Sequence, residues 1–245
     1  GFIGGDLDMP EAHEVSRGIV GRTGAVVVSV DYRLCPVPPA LGGPAEPASS
    51  DEAAVRFPVP HDDVLAAYRW TRASADQLRI DPNRVALGGA SAGANLAAGV
   101  ALHLRDLGDS PWQLLLAYPV VHPVLPEPSA ELAEAIALTP YVLRFPPDLC
   151  RVMNENYLGG PIEDAHPYAF AGLSEDLVGF PPTLIDNDEF DELRSSGETF
   201  ATQLRNAGVE VEQVTSLGVT HGHLNHPGLG ATAASLDRMS ARINA

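Results

Sequence analysis

The stretch from Val85 to Leu96, Val-Ala-Leu-Gly-Gly-Ala-Ser-Ala-Gly-Ala-Asn-Leu, constrains this chain more than any other. An apolar run stops at two glycines, Ser91 follows, Gly93 comes next but one, and Leu96 to Leu104 has the Ala/Leu/Val content of a buried helix. That order reads as strand, sharp turn, helix. Gly89-Ala90-Ser91-Ala92-Gly93 fits G-x-S-x-G, in which small neighbours let the backbone turn so tightly that the serine stands out at the end of a sheet. The N-terminus of the next helix lies beneath the hydroxyl, with free N–H groups able to receive developing negative charge. A serine that merely caps the helix is the plain alternative. A phosphate-binding loop is excluded, because no Lys-Ser or Lys-Thr follows Gly93 and the chain contains no lysine.

The rest of the chain keeps the same rhythm. Pro10 to Arg22 reads as a helix ended by Gly24, and Ala25 to Val30 (Ala-Val-Val-Val-Ser-Val) as a strand buried on both faces of a parallel sheet. Pro36 to Pro60 is a Pro/Gly/Ala-rich insertion or surface loop, and Asp62 to Leu78 returns to helical spacing. Gln113 to Val121 is a further strand candidate. Residues 122–180 hold helical pieces and Pro breaks with no strong strand, and read as a cap or pocket-lining insertion. Thr183-Leu184-Ile185 starts a strand, Glu192 to Ala207 a helix, Val209 to Thr215 a strand and Thr232 to Ile243 the last helix. Strands alternating with helices imply one domain over 1–245, with a mostly parallel sheet covered on both faces. With 245 residues, 45% of them hydrophobic, a substantial core is available. A net charge of -17 argues against nucleic acid, anionic membranes and polyanionic substrates. Cys35 and Cys150 are too far apart in sequence for a redox pair or zinc knuckle and read as free, buried thiols. No apolar run has membrane-spanning length and no signal sequence is visible, which fits a cytoplasmic protein.

A nucleophilic serine needs a base. His221, in Gly218-Val219-Thr220-His221-Gly222-His223 directly after a strand, is best placed, and His223 is the fallback. His13, His61, His103, His122 and His166 read as surface or capping residues. The acid that orients the base comes from the run after Ile185, which offers Asp186, Asp188, Glu189 and Asp191. On position alone any could serve. Asp186 is held close to the strand, whereas Asp191 points away from the sheet end and suits a helix N-cap. The order Ser91, acid, His221 is one of the three known orders of serine triads.

Gly1-Phe2-Ile3-Gly4-Gly5, Asp31-Tyr32-Arg33-Leu34, Gly89-Ala90-Ser91-Ala92-Gly93, Pro181-Pro182-Thr183 with Glu189-Phe190-Asp191, and His221-Gly222 occur in an order that resembles the bacterial hormone-sensitive-lipase-like carboxylesterases, over nearly the whole chain. The resemblance implies an α/β-hydrolase fold and a serine carboxylesterase without cofactor, with Ser91 as nucleophile, Asp191 as acid and His221 as base. It implies an oxyanion hole formed by Gly1, matching the last glycine of a His-Gly-Gly-Gly loop, and by the N–H of Ala92. Phe2, Tyr141, Leu143 and Phe145 are expected to line the substrate pocket. The motif begins at its last glycine, so a strand between those ending near Asp31 and Gly89 is expected to be missing, and the gap to be filled by upstream sequence or by another chain, such as a second copy in a homo-oligomer. A small-molecule ester is the expected partner. Two other classes compete. His221-Gly222-His223-Leu224-Asn225-His226 has the spacing of a metal-hydrolase motif, though Asn225 stands where that motif has Asp and no further histidine follows. The other is a non-catalytic relative that binds a small molecule or a protein.

Overall fold

The computed structural model describes residues 1–45, 49–53 and 55–245. Its helices are α1 (Pro10–Thr23), α2 (Ser50–Ala53), α3 (Val59–Ala73), α4 (Ala75–Leu78), α5 (Ala92–Asp106), α6 (Ala130–Leu138), α7 (Pro147–Leu158), α8 (Arg194–Asn206) and α9 (Gly230–Asn244). Its strands are β1 (Leu87–Ala90), β2 (Leu114–Ala117), β3 (Thr183–Phe190) and β4 (Val211–Thr220), which lie side by side in that order and pair in parallel. Each parallel step needs a crossover, and the helices between the strands supply it.

Both faces of the sheet are covered, and β2 shows how. Leu114 and Leu116 point into a cluster with Ala97, Ala101 and Phe200 of α5 and α8, while Leu115 and Ala117 point to Ile19, Leu236 and Met239 of α1 and α9. Alternate side chains of a strand face opposite ways, so a strand sandwiched between helices must be apolar throughout. A third cluster joins Phe2, Val64, Leu65 and Tyr68 to Leu96, Val100, Tyr157 and Phe170 beside β1. Helix limits follow local chemistry. Pro10 occupies the first turn of α1, where its missing N–H costs nothing, and Gly24 closes that helix at φ 70°. The helix expected over Asp62 to Leu78 is broken at Ser74 into α3 and α4.

Ala25 to Val30 is not a strand. It has no ladder partners, and Val26 and Val28 are 48% and 37% exposed. A strand exists only through its neighbour's backbone, and the facing edge of β1 lies across a cleft of about 750 Å³. Val26, Val28 and Val30 line one wall of that cleft, and Val85, Leu87 and Gly89 the other. The expected insertion at 36–60 covers a short helical turn at Pro39–Leu41, α2 and the start of α3, while residues 46–48 and 54 lie outside the described ones. Residues 122–180 form no strand, as their composition suggests, but they divide in two. Tyr157, Ile162, Phe170, Leu177 and Phe180 are buried core residues, and most of the exposed apolar groups lie before them, at Val124, Leu138, Tyr141 and Val142, with Leu173 and Val178 also exposed. Both cysteines are free and buried. No helix among the described residues is long and apolar enough to cross a membrane.

Candidate active site

Ser91 sits between the end of β1 and the first residue of α5 with φ 54° and ψ -121°, a backbone region that a side-chain-bearing residue occupies at a cost. The turn is held from both sides. Ser91 N–H donates to Ala117 O at 2.9 Å, continuing the β1–β2 ladder, and Ser91 C=O accepts from Asn95 N–H at 3.1 Å. Gly89 is required by space, since a Cβ there would lie 2.3 Å from the carbonyl of Gly93. The N–H of Ala92, at the first helical position, has no partner within the helix and is free for a ligand.

His221 follows β4 and reaches Ser91 Oγ with Nε2 at 2.9 Å. Its Nδ1 lies 2.7 Å from Asp191 Oδ2, and Asp191 Oδ1 accepts the N–H of Leu193 at 3.1 Å. Gly222, at φ 87°, takes the left-handed turn that sends the chain away behind the imidazole. Burial by itself would lower the proton affinity of His221, but the charge and hydrogen bond of Asp191 outweigh it and raise the pKa, with smaller help from Asp188 and Glu11. A serine hydroxyl, an imidazole and a buried carboxylate thus form one hydrogen-bonded line.

Asp191 therefore does not point away from the sheet end. β3 runs on to Phe190, five residues beyond the Ile185 to which the apolar run extends, so Asp186 and Asp188 are strand residues inside the sheet and Asp191 is the first residue past its end. Asp186 accepts from Arg238 at 2.7 Å and Ser216 at 2.8 Å, and Glu189 accepts the N–H of Gly218 at 2.6 Å. Asp188 lies 2.5 Å from His223 Nδ1, and His223 Nε2 lies 2.8 Å from Ser235 Oγ. His223 is thus committed to a second buried Asp-His-Ser line behind the first. No group of three or more His, Cys, Asp or Glu residues able to hold a metal occurs among the described residues, so the His221/His223/His226 spacing does not become a metal cluster.

The expected pocket residues separate. Phe145 is half-buried with its ring 4.5 Å from that of His221. Tyr141 and Leu143 stand on an exposed turn at 74% and 50% exposure. Phe2 is buried and stacks on Tyr157 at 4.2 Å inside the core. Gly1 lines the cleft that also reaches Gly89 and Gly93, and its carbonyl accepts from Tyr32 Oη at 3.0 Å. Sequence reasoning missed Tyr118, whose ring meets His221 edge-on at 5.0 Å and whose hydroxyl donates to Glu11 at 2.5 Å. Nothing in the sequence hints at this, because the strand expected over Gln113 to Val121 runs through Tyr118, whereas β2 ends at Ala117.

Two histidines read as surface or capping residues are core residues. His61 is buried against His103 and Tyr168. His122 places Nδ1 2.9 Å from Ser196 Oγ and Nε2 3.3 Å from Gln203 Oε1. Burial, only partly offset by Gln203, pushes the His122 pKa down to about 4 from an ordinary 6.5. The unfolded chain thus binds a proton that the folded chain refuses. Stability from this group is complete above pH 6.5 and falls away towards pH 4, by about 3 kcal/mol in total. Urea titrations across that window are expected to show the loss, and His122→Asn to flatten it. An unchanged slope in the variant counts against the assignment.

With this geometry in view, the comparisons with known proteins are decisive. Residues 53–225 match the profile described as alpha/beta hydrolase fold. The chain belongs to the alpha/beta hydrolase fold family. Among its relatives is the carboxylesterase NlhH of Mycobacterium tuberculosis, 35% identical over 230 residues, which cover 92% of this chain and 64% of the relative. The chain thus spans a little under two thirds of that protein's length. Among solved structures of the family, the hyperthermophilic esterase from the archaeon Pyrobaculum calidifontis superposes with a TM-score of 0.79 at 31% identity, covering 99% of this chain and 73% of the other. EstE1, a thermostable carboxylesterase cloned from a metagenomic library, gives 0.80 at 32%, covering 99% and 76%.

Proposed function

We propose that this chain is a serine carboxylesterase that hydrolyses small, uncharged or weakly charged carboxylic esters through an acyl-enzyme on Ser91. The observation that carries the reading is the unbroken hydrogen-bonded line from Ser91 Oγ through His221 to Asp191. Ser91 Oγ attacks the acyl carbon while His221 Nε2 takes its proton, and Asp191 holds the Nδ1 proton and the tautomer. The C–O bond to the alcohol then breaks as His221 returns the proton to the leaving oxygen. Water repeats the sequence on the acyl-enzyme and frees Ser91. The N–H of Ala92, with Gly1, supplies the donors for the tetrahedral oxyanion. The relatives' names as carboxylesterases support the reaction class, and the net charge of -17 disfavours anionic esters. Fluorophosphonate labelling, mapped by peptide mass spectrometry, tests the reading. It is expected at Ser91, and an unlabelled chain or a modified residue elsewhere rejects it.

A further inference from the structure

We infer that Glu192 is a positioning residue for this active site: it fixes the ring of Phe145 against His221 and thereby limits the size of the ester group that fits beside the imidazole. The inference rests on the serine-esterase reading. Glu192 follows Asp191 directly and is only 5% exposed. Both of its carboxylate oxygens are spent on one dipeptide: Oε1 accepts from Arg144 Nε at 2.6 Å and Oε2 from the N–H of Phe145 at 3.1 Å. A buried carboxylate is tolerated only when paired and hydrogen-bonded, so this grip is obligatory rather than incidental.

The grip decides where the ring goes. Ahead of it, Tyr141, Val142 and Leu143 are exposed, and the N–H groups of Leu143 and Arg144 bond only within their own turn, to Pro140 and Tyr141. Behind it, Cys150 Sγ donates to Phe145 O at 3.3 Å. Among the described residues, Glu192 is therefore the polar anchor that joins the 139–145 turn to the catalytic strand ends. A bond to a backbone N–H sets the chain's register, and with it the direction of the side chain. The Phe145 ring lands 4.5 Å from the imidazole at a 54° tilt, while Tyr118 meets the same imidazole edge-on. An acyl or alcohol group bound at Ser91 on the Phe145 side meets that ring before it meets the exposed turn.

Acting through Phe145 makes a specific non-additivity. With p-nitrophenyl acetate and hexanoate, Phe145→Ala and Glu192→Ala are each expected to raise the hexanoate-to-acetate ratio of kcat/KM at least fivefold. The change is expected in KM for hexanoate, with kcat for acetate altered less. The double variant is expected to match Phe145→Ala alone, and Glu192→Gln, which keeps an acceptor for the Phe145 N–H, to stay within twofold of the parent. Additive effects, or a Glu192→Ala variant that melts earlier with an unchanged ratio, overturn the inference. Arg144→Gln, which spares the backbone bond, is expected to stay within twofold of the parent, and Glu192→Leu, which fills the same space without an acceptor for the Phe145 N–H, is expected to give the same shift as Glu192→Ala and serves if that variant does not fold. An NMR measurement of the contact between the Phe145 ring and the His221 imidazole decides the point without turnover. It is expected to vanish in Glu192→Ala and to survive in Glu192→Gln, and its survival in Glu192→Ala overturns the inference. A parent chain with neither ester turnover nor fluorophosphonate labelling rejects the esterase reading instead, while the ring contact still reports on Glu192.

Discussion

Ser91→Ala is expected to lower kcat/KM for p-nitrophenyl acetate by roughly 10³-fold or more, because triad members act as a unit and the residue of activity comes from binding and oxyanion stabilisation alone. Structure adds a reason to expect a clean result. Ser91 holds φ 54° through its backbone bonds to Ala117 and Asn95, and neither bond involves the hydroxyl. Alanine therefore keeps the turn and removes only the nucleophile. Thermal unfolding of the variant should match the parent, or exceed it, while turnover collapses. Retained turnover in a folded Ser91→Ala variant would falsify the nucleophile assignment.

Asp191→Asn is expected to cost about 10⁴-fold in kcat, far more than Asp188→Asn. The hydrogen bonds around Asp191 make this asymmetric. One carboxylate oxygen accepts the N–H of Leu193 and the other faces His221 Nδ1. An asparagine at this position keeps its oxygen on Leu193 and turns its NH₂ towards Nδ1. The imidazole must then accept at Nδ1 and carry its proton on Nε2, where it can no longer take one from Ser91. Loss of the Asp191 charge also lowers the His221 pKa, so whatever activity survives should persist to lower pH than in the parent. Rates measured from pH 4 to 9 for both asparagine variants separate the two acids, and a deeper loss in Asp188→Asn moves the role to Asp188.

The turn at Ser91 was legible because its requirements are local: small residues, an apolar run before and an alanine-rich helix after. The base was legible from chain order and its place after a strand. The acid was not, on residues alone, since four acidic side chains crowd the end of β3 and the apolar run stops at Ile185. The strand continues to Phe190 through the acidic residues, because Asp186 finds Arg238 and Asp188 finds His223, partners distant in sequence. The Ala25 to Val30 strand failed for the opposite reason: its composition is right, but pairing is supplied by a neighbour, and composition does not report whether one is there. His61 and His122 were misplaced because a neutral imidazole with a satisfied nitrogen packs like any apolar ring. Glu192 carried no signal, as its partners Arg144 and Phe145 lie in a segment without periodicity.

The line through Asp188, His223 and Ser235 places α9 directly behind the base. Thr232 Oγ1 donates to the carbonyls of His223 and His226, and Arg238 reaches Asp186, Ser216 and Ser235 together. The turn that presents His221 is thus braced from behind by α9. Positions 188, 223 and 235 are therefore physically coupled: losing the imidazole at 223 alone would strand a buried carboxylate, so a change at one of the three is expected to be tolerated best when the other two change with it.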